Sequence, residues 1–379
     1  MMHLLAGIAG VVLIVSIMWD AFEVIVLPRR VTRRFRPARL FYRLTWRLWS
    51  GVARQMRPGN RRETYLSFYG PLSLLLLLNL WAASMVVGFG LLQWAIGPDL
   101  HVARGVPTLG DALYMSGSTF FTLGLGDITP YSVLAKALTV VEAGTGFLFL
   151  AVIVGYLPVI YQAFSRREVN ISLLDARAGS PPSAAELLHR HGEDLEELHD
   201  LLRNWERWSA ELLESHLSYP VLSYFRSQHD NQSWLAALAT ILDSSALVIA
   251  GIEGTCARQA QLTFAIARHA VVDLAQVFQT PPRPPQPDRL PPAALKKLRA
   301  SLAAAGIVLR DGEDADRTLA ELRRMYEPYV QALADRLLFT LPAWNVATAG
   351  SDNWRTSAWE RYSSDTTAQP LLDVHEDEF

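Results

Sequence analysis

The sequence predicts an all-α membrane protein followed by an all-α region outside the bilayer. Three observations predict it. Residues 4–27, 71–96 and 133–164 are long apolar runs, each long enough for the roughly 20 residues of a membrane-crossing helix. The link between the first two runs is crowded with arginine. After Ser165 the composition changes, and apolar residues return at helical spacing.

The first run is almost continuously apolar up to Trp19, Asp20 and Glu23. It lacks a basic start and a small-residue cleavage site, and two acids stand near its end. Residues 1–27 therefore read as a retained transmembrane helix rather than a secretion signal. Asp20 and Glu23 either reach the interface and pair with nearby arginines or form an acidic pair inside the membrane with a functional role.

Between Pro28 and Arg62 stand twelve arginines and no acid. Short loops rich in arginine stay on the cytoplasmic side. This places the N-terminus and the 97–106 loop outside and the chain after Ser165 inside, and Arg166 and Arg167 agree. Within 28–66, Leu40, Phe41, Leu44, Trp46, Leu48 and Trp49 interleave with the arginines. That pattern predicts a basic amphipathic linker on the membrane surface, with lipid as its partner. An arginine cluster can also bind nucleic acid, but flanking membrane spans argue against that here. The arginines do not sit at every third position of an apolar span, so they do not form a voltage sensor.

Between the second and third runs lies Thr119-Phe120-Phe121-Thr122-Leu123-Gly124-Leu125-Gly126-Asp127. A dehydrated cation needs oxygen ligands, and rings of backbone carbonyls supply them. Successive carbonyls share one side of a short strand only if alternate residues take left-handed angles. Glycine does so at little steric cost, which accounts for Gly124 and Gly126. The Thr122 hydroxyl adds an oxygen at one end, and Asp127 stands where a carboxylate can hold the other. Irregular backbone at membrane depth is tolerated only inside protein or against water.

These residues resemble the selectivity filter of the potassium channel family, of the bacterial two-span pore-loop type. Ala112-Leu113-Tyr114-Met115-Ser116-Gly117-Ser118 occupies the pore-helix positions, and Pro130 follows at the usual place. The resemblance is confined to about residues 71–164. It implies a pore domain over 67–167, with an outer helix 71–96, a re-entrant pore helix 108–121, a filter 122–127 and an inner helix 133–164. It implies that Thr122, Leu123, Gly124, Leu125 and Gly126 bind permeant K+, that Asp127 and Ser118 support the filter, and that four copies assemble. No cofactor or resident metal is implied.

Four departures bear on selectivity. Leu125 replaces the usual tyrosine or phenylalanine, and Phe121 a common threonine or serine. Ser118 stands where many relatives have a glutamate, and Tyr114-Met115 where many have two tryptophans.

In the inner helix, Gly146 lies where many potassium channels carry a hinge glycine. Pro158 lacks an amide donor and is expected to kink or end the helix. Gly146 and Pro158 are the gating candidates, with simple packing as the alternative for each glycine. Glu142 is a charge within the span. It is expected to face a cavity or a neighbouring subunit, because Lys136 is six residues away and poorly placed to pair with it.

Residues 168–348 are expected to form an all-α cytoplasmic domain that resembles no family we recognise. Its Pro-rich loop, 280–292, holds seven prolines, and the acidic tail 349–379 reads as disordered. Trp234 to Ile252 is apolar enough for a fourth span, but Thr240, Asp243, Ser244 and Ser245 favour a buried core helix. His199-Asp200, with His189, His191, His269 and Asp273, suggests a metal hydrolase, yet the spacing matches no complete motif. No Gly-rich nucleotide fingerprint follows a strand. Cys256 is the lone cysteine, and 32 arginines against 3 lysines fit a GC-rich bacterial genome.

Taken together, the expectation is a non-enzymatic subunit of a potassium-selective homotetrameric channel in the bacterial inner membrane. A cytoplasmic domain that answers to an unidentified ligand or protein would gate it. The alternatives are a weakly selective cation channel and a non-conducting sensor or scaffold.

Overall fold

The computed structural model describes residues 1–27, 36–97, 99–102, 106–191, 195–228, 231–252 and 254–345. The acidic tail and residues 28–35 of the basic linker lie outside the described residues. The described chain is almost entirely helical and forms two compact units. The first comprises Met1–Arg166 and Glu214–Arg226, the second Arg167–Leu213 and the residues from Ser227 onward. Among the described residues, four helices are long and apolar enough to cross a membrane.

In the first unit, α1 (Met2–Ile25) packs along α4 (Tyr69–Ile96). Small residues let the two backbones approach, the main source of helix affinity in lipid. A Cβ on Gly10 would lie 2.7 Å from the Gly88 carbonyl oxygen, and one on Gly88 would lie 2.6 Å from Ile14. Most of the remaining α1 surface is exposed and apolar, as lipid contact requires.

The two acids of α1 tie it to the start of the amphipathic helix α2 (Pro37–Gln55). Asp20 Oδ2 accepts from the Ala38 amide at 3.0 Å and from Trp81 Nε1 at 3.1 Å. It thereby satisfies one of the amides a helix start leaves open. Glu23 pairs with Arg36 at 3.2 Å and accepts from Trp19 Nε1 at 2.6 Å. Arginine pairing is thus the role the structure assigns to Glu23, while Asp20 acts as a cap. On α2, Ala38, Trp46 and Ala53 are buried, whereas Leu40, Leu44, Leu48 and Val52 are exposed. After α3 (Asn60–Ser67), α4 begins at Tyr69, two residues before the expected start.

The segment that resembles a pore loop follows. A two-residue strand β1 (Leu100–His101) pairs antiparallel with β2 (Thr129–Pro130), with α5 (Leu109–Phe120) between them. Then α6 runs unbroken from Val133 to Ala178, well beyond the expected end at residue 164. Pro158 lies inside it and does not end it. Proline removes one helical hydrogen bond, and the long regular segments on both sides hold the helix through that gap.

In the second unit, α9 (Trp234–Gly251) is covered on all sides, packing with α7 (Ala184–His191), α10 (Thr255–Val277) and α12 (Glu313–Leu337). It is apolar enough to be a span, but here its neighbours are protein. Its Asp243 pairs with Arg289 of the Pro-rich loop at 2.6 Å and accepts from the Tyr326 hydroxyl. Arg289 also pairs with Glu327 at 3.3 Å. Burial pushes the Glu327 carboxyl above its usual range, and the nearby Asp243 adds to the shift. Removing one partner of a buried pair strands the other charge. Asp243→Leu is therefore expected to destabilise the second unit by about 3–5 kcal/mol, read as a lower melting temperature of the full chain in detergent.

Candidate functional site: the pore loop and its supports

The loop is held from both ends. At its start Thr108 and Asp111 form a capping box. The Asp111 amide donates to Thr108 Oγ1 at 3.3 Å, and the Thr108 amide donates to Asp111 Oδ2 at 2.8 Å. Hydrogen bonds from the Thr108 side chain and backbone hold the Asp111 carboxyl below the usual carboxylate range. Such reciprocal bonds satisfy two open amides and set the entry angle of the helix. The buried face of α5 (Ala112, Met115, Ser116, Ser118, Phe120) follows helical spacing. Gly90 of α4 allows close contact, since a Cβ there would lie 2.7 Å from Leu113. Beyond the loop, the β1–β2 pair and the Tyr131 amide, donating to the Asp99 carbonyl at 2.7 Å, tie down the exit.

Between these ties, residues 121–127 are exposed in the isolated chain. Their backbone alternates. Thr122, Gly124 and Gly126 have φ of 57°, 60° and 78°, while Leu123 and Leu125 are not in the positive-φ region. Alternation of this kind allows successive carbonyls to share one side. The glycines bear it freely, but for Thr122 the left-handed region costs about 1–2 kcal/mol, a strain of the sort found at functional sites. Sequence reasoning accounted for the glycines and missed Thr122, whose residue type carries no such signal.

The loop hangs on a backbone group. The Ser118 carbonyl accepts from the Leu123 amide at 2.7 Å and from the Gly124 amide at 3.4 Å, and the Thr122 amide donates to the Thr119 carbonyl at 3.0 Å. Ser118 thus meets the loop through its main chain, so its residue type said nothing about this contact. Asp127 lies close enough to Tyr114 to raise the phenol above its usual range. Tyr114 stood out in the sequence only as a departure from two tryptophans.

Behind the loop, Glu142 is fully buried and turns to the pore helix of its own chain, not to a cavity or a neighbour. It meets the Ser116 hydroxyl, which also lies 2.7 Å from the Val86 carbonyl oxygen. Outer, pore and inner helices therefore converge on one serine. Its single hydrogen can serve only one of two acceptors. Glu142→Gln brings its own amide hydrogens to Ser116 and is expected to be tolerated. Glu142→Ala leaves the Ser116 hydroxyl to the Val86 carbonyl but opens a buried cavity, and is expected to lower stability by about 1–3 kcal/mol. Thermal melting of the two variants side by side checks this.

Gly146 faces the end of the pore helix. A Cβ there would lie against the Phe120 carbonyl oxygen and 2.9 Å from its carbon. Gly144 and Gly155 would meet nothing within 4 Å. Pro158 lies farther along the same unbroken helix. Among the hydrolase candidates, His199 meets its neighbour Asp200 at 3.4 Å, and His269 meets Asp273 at 3.1 Å. No three metal-binding side chains converge among the described residues.

Comparison with known proteins gives a match over the same stretch of the chain. Residues 76–162 match a family model described as "Ion channel", which covers the same outer helix, loop and inner helix. An uncharacterised membrane protein of Bacillus subtilis (strain 168), YdjJ, is 26% identical over 251 residues, covering 64% of this chain and 72% of that protein. Protein LctB of Geobacillus stearothermophilus is 29% identical over 84 residues, covering 20% of this chain and 62% of that protein. No solved structure matches the chain.

Proposed function

We propose that this chain is one subunit of a potassium-selective channel in which four copies surround a common pore. The ion-channel match on 76–162 and the membrane-crossing helices support a multi-pass membrane protein that conducts ions rather than an enzyme. One observation carries the finer reading: left-handed φ at Thr122, Gly124 and Gly126, alternating with Leu123 and Leu125. A single loop supplies one arc of a ring. Four would close rings of carbonyl oxygens that replace the hydration shell of K+, with the Thr122 hydroxyl adding to the innermost ring. Asp127 would hold the outer mouth with Tyr114. The twelve arginines before the second span favour an orientation with the basic linker and the second unit in the cytoplasm and the N-terminus outside, and the membrane would be a bacterial inner membrane. Gly146 and Pro158 would shape the movement of the inner helix, and the second unit would bias it by binding a ligand or protein preferentially in one state.

Leu125 favours a second reading, a weakly selective cation channel. Its side chain is 63% exposed and brings neither ring nor hydroxyl to brace the filter.

Flux from liposomes holding the purified chain, with K+ and then Na+ as the sole permeant cation, separates the readings. Potassium flux far above sodium flux is the expected result. Equal fluxes establish the weakly selective pore, and absence of both under every condition overturns conduction.

A further inference from the structure

One stretch of the chain groups with residues distant from it in sequence. Helix α8 (Leu195–Ser218) starts in the second unit, but its last turn and the 3₁₀ helix Pro220–Tyr224 belong to the first. At Ser227 the chain returns to the second unit. The excursion, Glu214–Arg226, is seated by side chains of four different helices of the first unit.

Tyr224 stacks on Tyr42 of α2, with ring centroids 5.9 Å apart. It also lies 4.9 Å from Trp46 and 5.0 Å from Tyr69, at the start of α4. Phe225 fills a recess that only glycine leaves open, since a Cβ on Gly70 would lie 2.6 Å from the ring. The same ring is 5.6 Å from Phe164 of α6, and Tyr219 is 5.8 Å from Tyr156 of α6. Val221, Leu222 and Phe225 belong to the apolar core that also holds Tyr156 and Ile160. Arg226 closes the seat with an ion pair to Glu63 at 3.3 Å. Burial pushes this guanidinium down to about 10, against the pull of Glu63.

The α6 contacts flank a weak point. Pro158 has no amide, so the Val154 carbonyl one turn earlier loses its helical donor. A helix is most easily bent at such a gap, and Tyr156, Ile160 and Phe164 bracket it.

We propose that Glu214–Arg226 is a transmission wedge, which sets the bend of α6 at Pro158 according to the position of α8. Helix α8 runs without a break into the excursion, so a shift of its first part would carry the wedge with it. The wedge touches α2, α4 and α6 together, and a contiguous packed path of this kind can pass on a change of state. The role rests on the channel reading, because its output is the inner helix of the pore.

The test uses the full-length protein in lipid with Phe225→Ala, which empties the recess, and Gly70→Ala, which crowds it. The first measurement is single-channel recording. Open probability is expected to change about five-fold or more, the lower end of usual coupling strengths, with the current through one open pore unchanged. Phe225→Leu in the Gly70→Ala background is expected to move it back. Open probability unchanged in both single variants overturns the proposal. An altered single-pore current does so as well, because the effect would then lie in the filter.

The second measurement is hydrogen exchange of the amides of 152–164, which reports local opening without requiring current. Faster exchange in Phe225→Ala is expected, and unchanged exchange overturns the wedge. If the unaltered chain carries no current, the channel reading fails, and exchange alone decides whether the wedge holds α6.

Discussion

Gly146→Val is expected to abolish ion flux and to lower the melting temperature of the protein. The reason is steric. A Cβ at this position would collide with the carbonyl oxygen of Phe120 and lie 2.9 Å from its carbon and 3.1 Å from its Cα. All three are backbone atoms at the end of the pore helix, and none can rotate away. Over-packing costs about 1–3 kcal/mol where side chains can yield, so this site is expected at or above the upper end of that range. Displacing Phe120 also moves the carbonyls of Ser118 and Thr119, on which the loop hangs. Gly144→Ala, two residues away on the same helix with nothing within 4 Å in the chain, is the matched control and is expected to melt near the parent. Flux assays and melting curves together separate packing from a hinge. A hinge glycine changed to valine would alter open probability and leave the melting temperature alone. Retention of both flux and stability would refute the contact.

Gly124→Ala is expected to bring potassium flux to background while the protein stays folded. Gly124 sits at φ 60°, where an L side chain costs roughly 1–2 kcal/mol, and in a four-fold ring that cost recurs in every copy. A chain relieved of the strain turns its peptide and takes one ring of oxygens out of register. The fold survives because the new methyl group would meet nothing within 4 Å of its own chain. Gly51→Ala, on the amphipathic helix with open space around it, is the control. It is expected to stabilise by about 0.5–1 kcal/mol through helix propensity. Potassium flux undiminished by Gly124→Ala would exclude conduction through carbonyls at this position.

Much of this architecture was legible because it rests on composition and short-range pattern. Spans follow from uninterrupted apolar length, and the runs at 4–27, 71–96 and 133–164 carry it in their residues. The pore helix was legible from the resemblance of Ala112–Ser118 and the turn-prone loop from its glycines, whereas the capping box of Thr108 and Asp111 emerged only in the structure. Glu142 was visible as a charge in a span, but its partner was not. Nothing in a linear chain says that Ser116, 26 residues earlier, faces it. The excursion of 214–226 was likewise invisible. Pro220, Val221, Leu222 and Phe225 read as any apolar stretch of a helical domain, and only the recess over Gly70 distinguishes their seat. The inner helix ran past its expected end because one proline removes a single hydrogen bond, too little to stop a helix with regular sequence on both sides.

The sequence by itself determined the class of this protein. It set how many apolar helices of membrane length the chain has, where its arginines lie and where its backbone turns left-handed at glycine, because each depends on nearby residues and on the solvent they meet. Only the tertiary structure decided what those parts do to one another. It turned Asp20 into a cap for α2 and made Gly146 a point of contact with Phe120. It set Asp243 of α9 against Arg289 and the start of α4 against Tyr224 and Phe225. Those outcomes depend on which distant surfaces meet, and close packing makes them sensitive to single methyl groups.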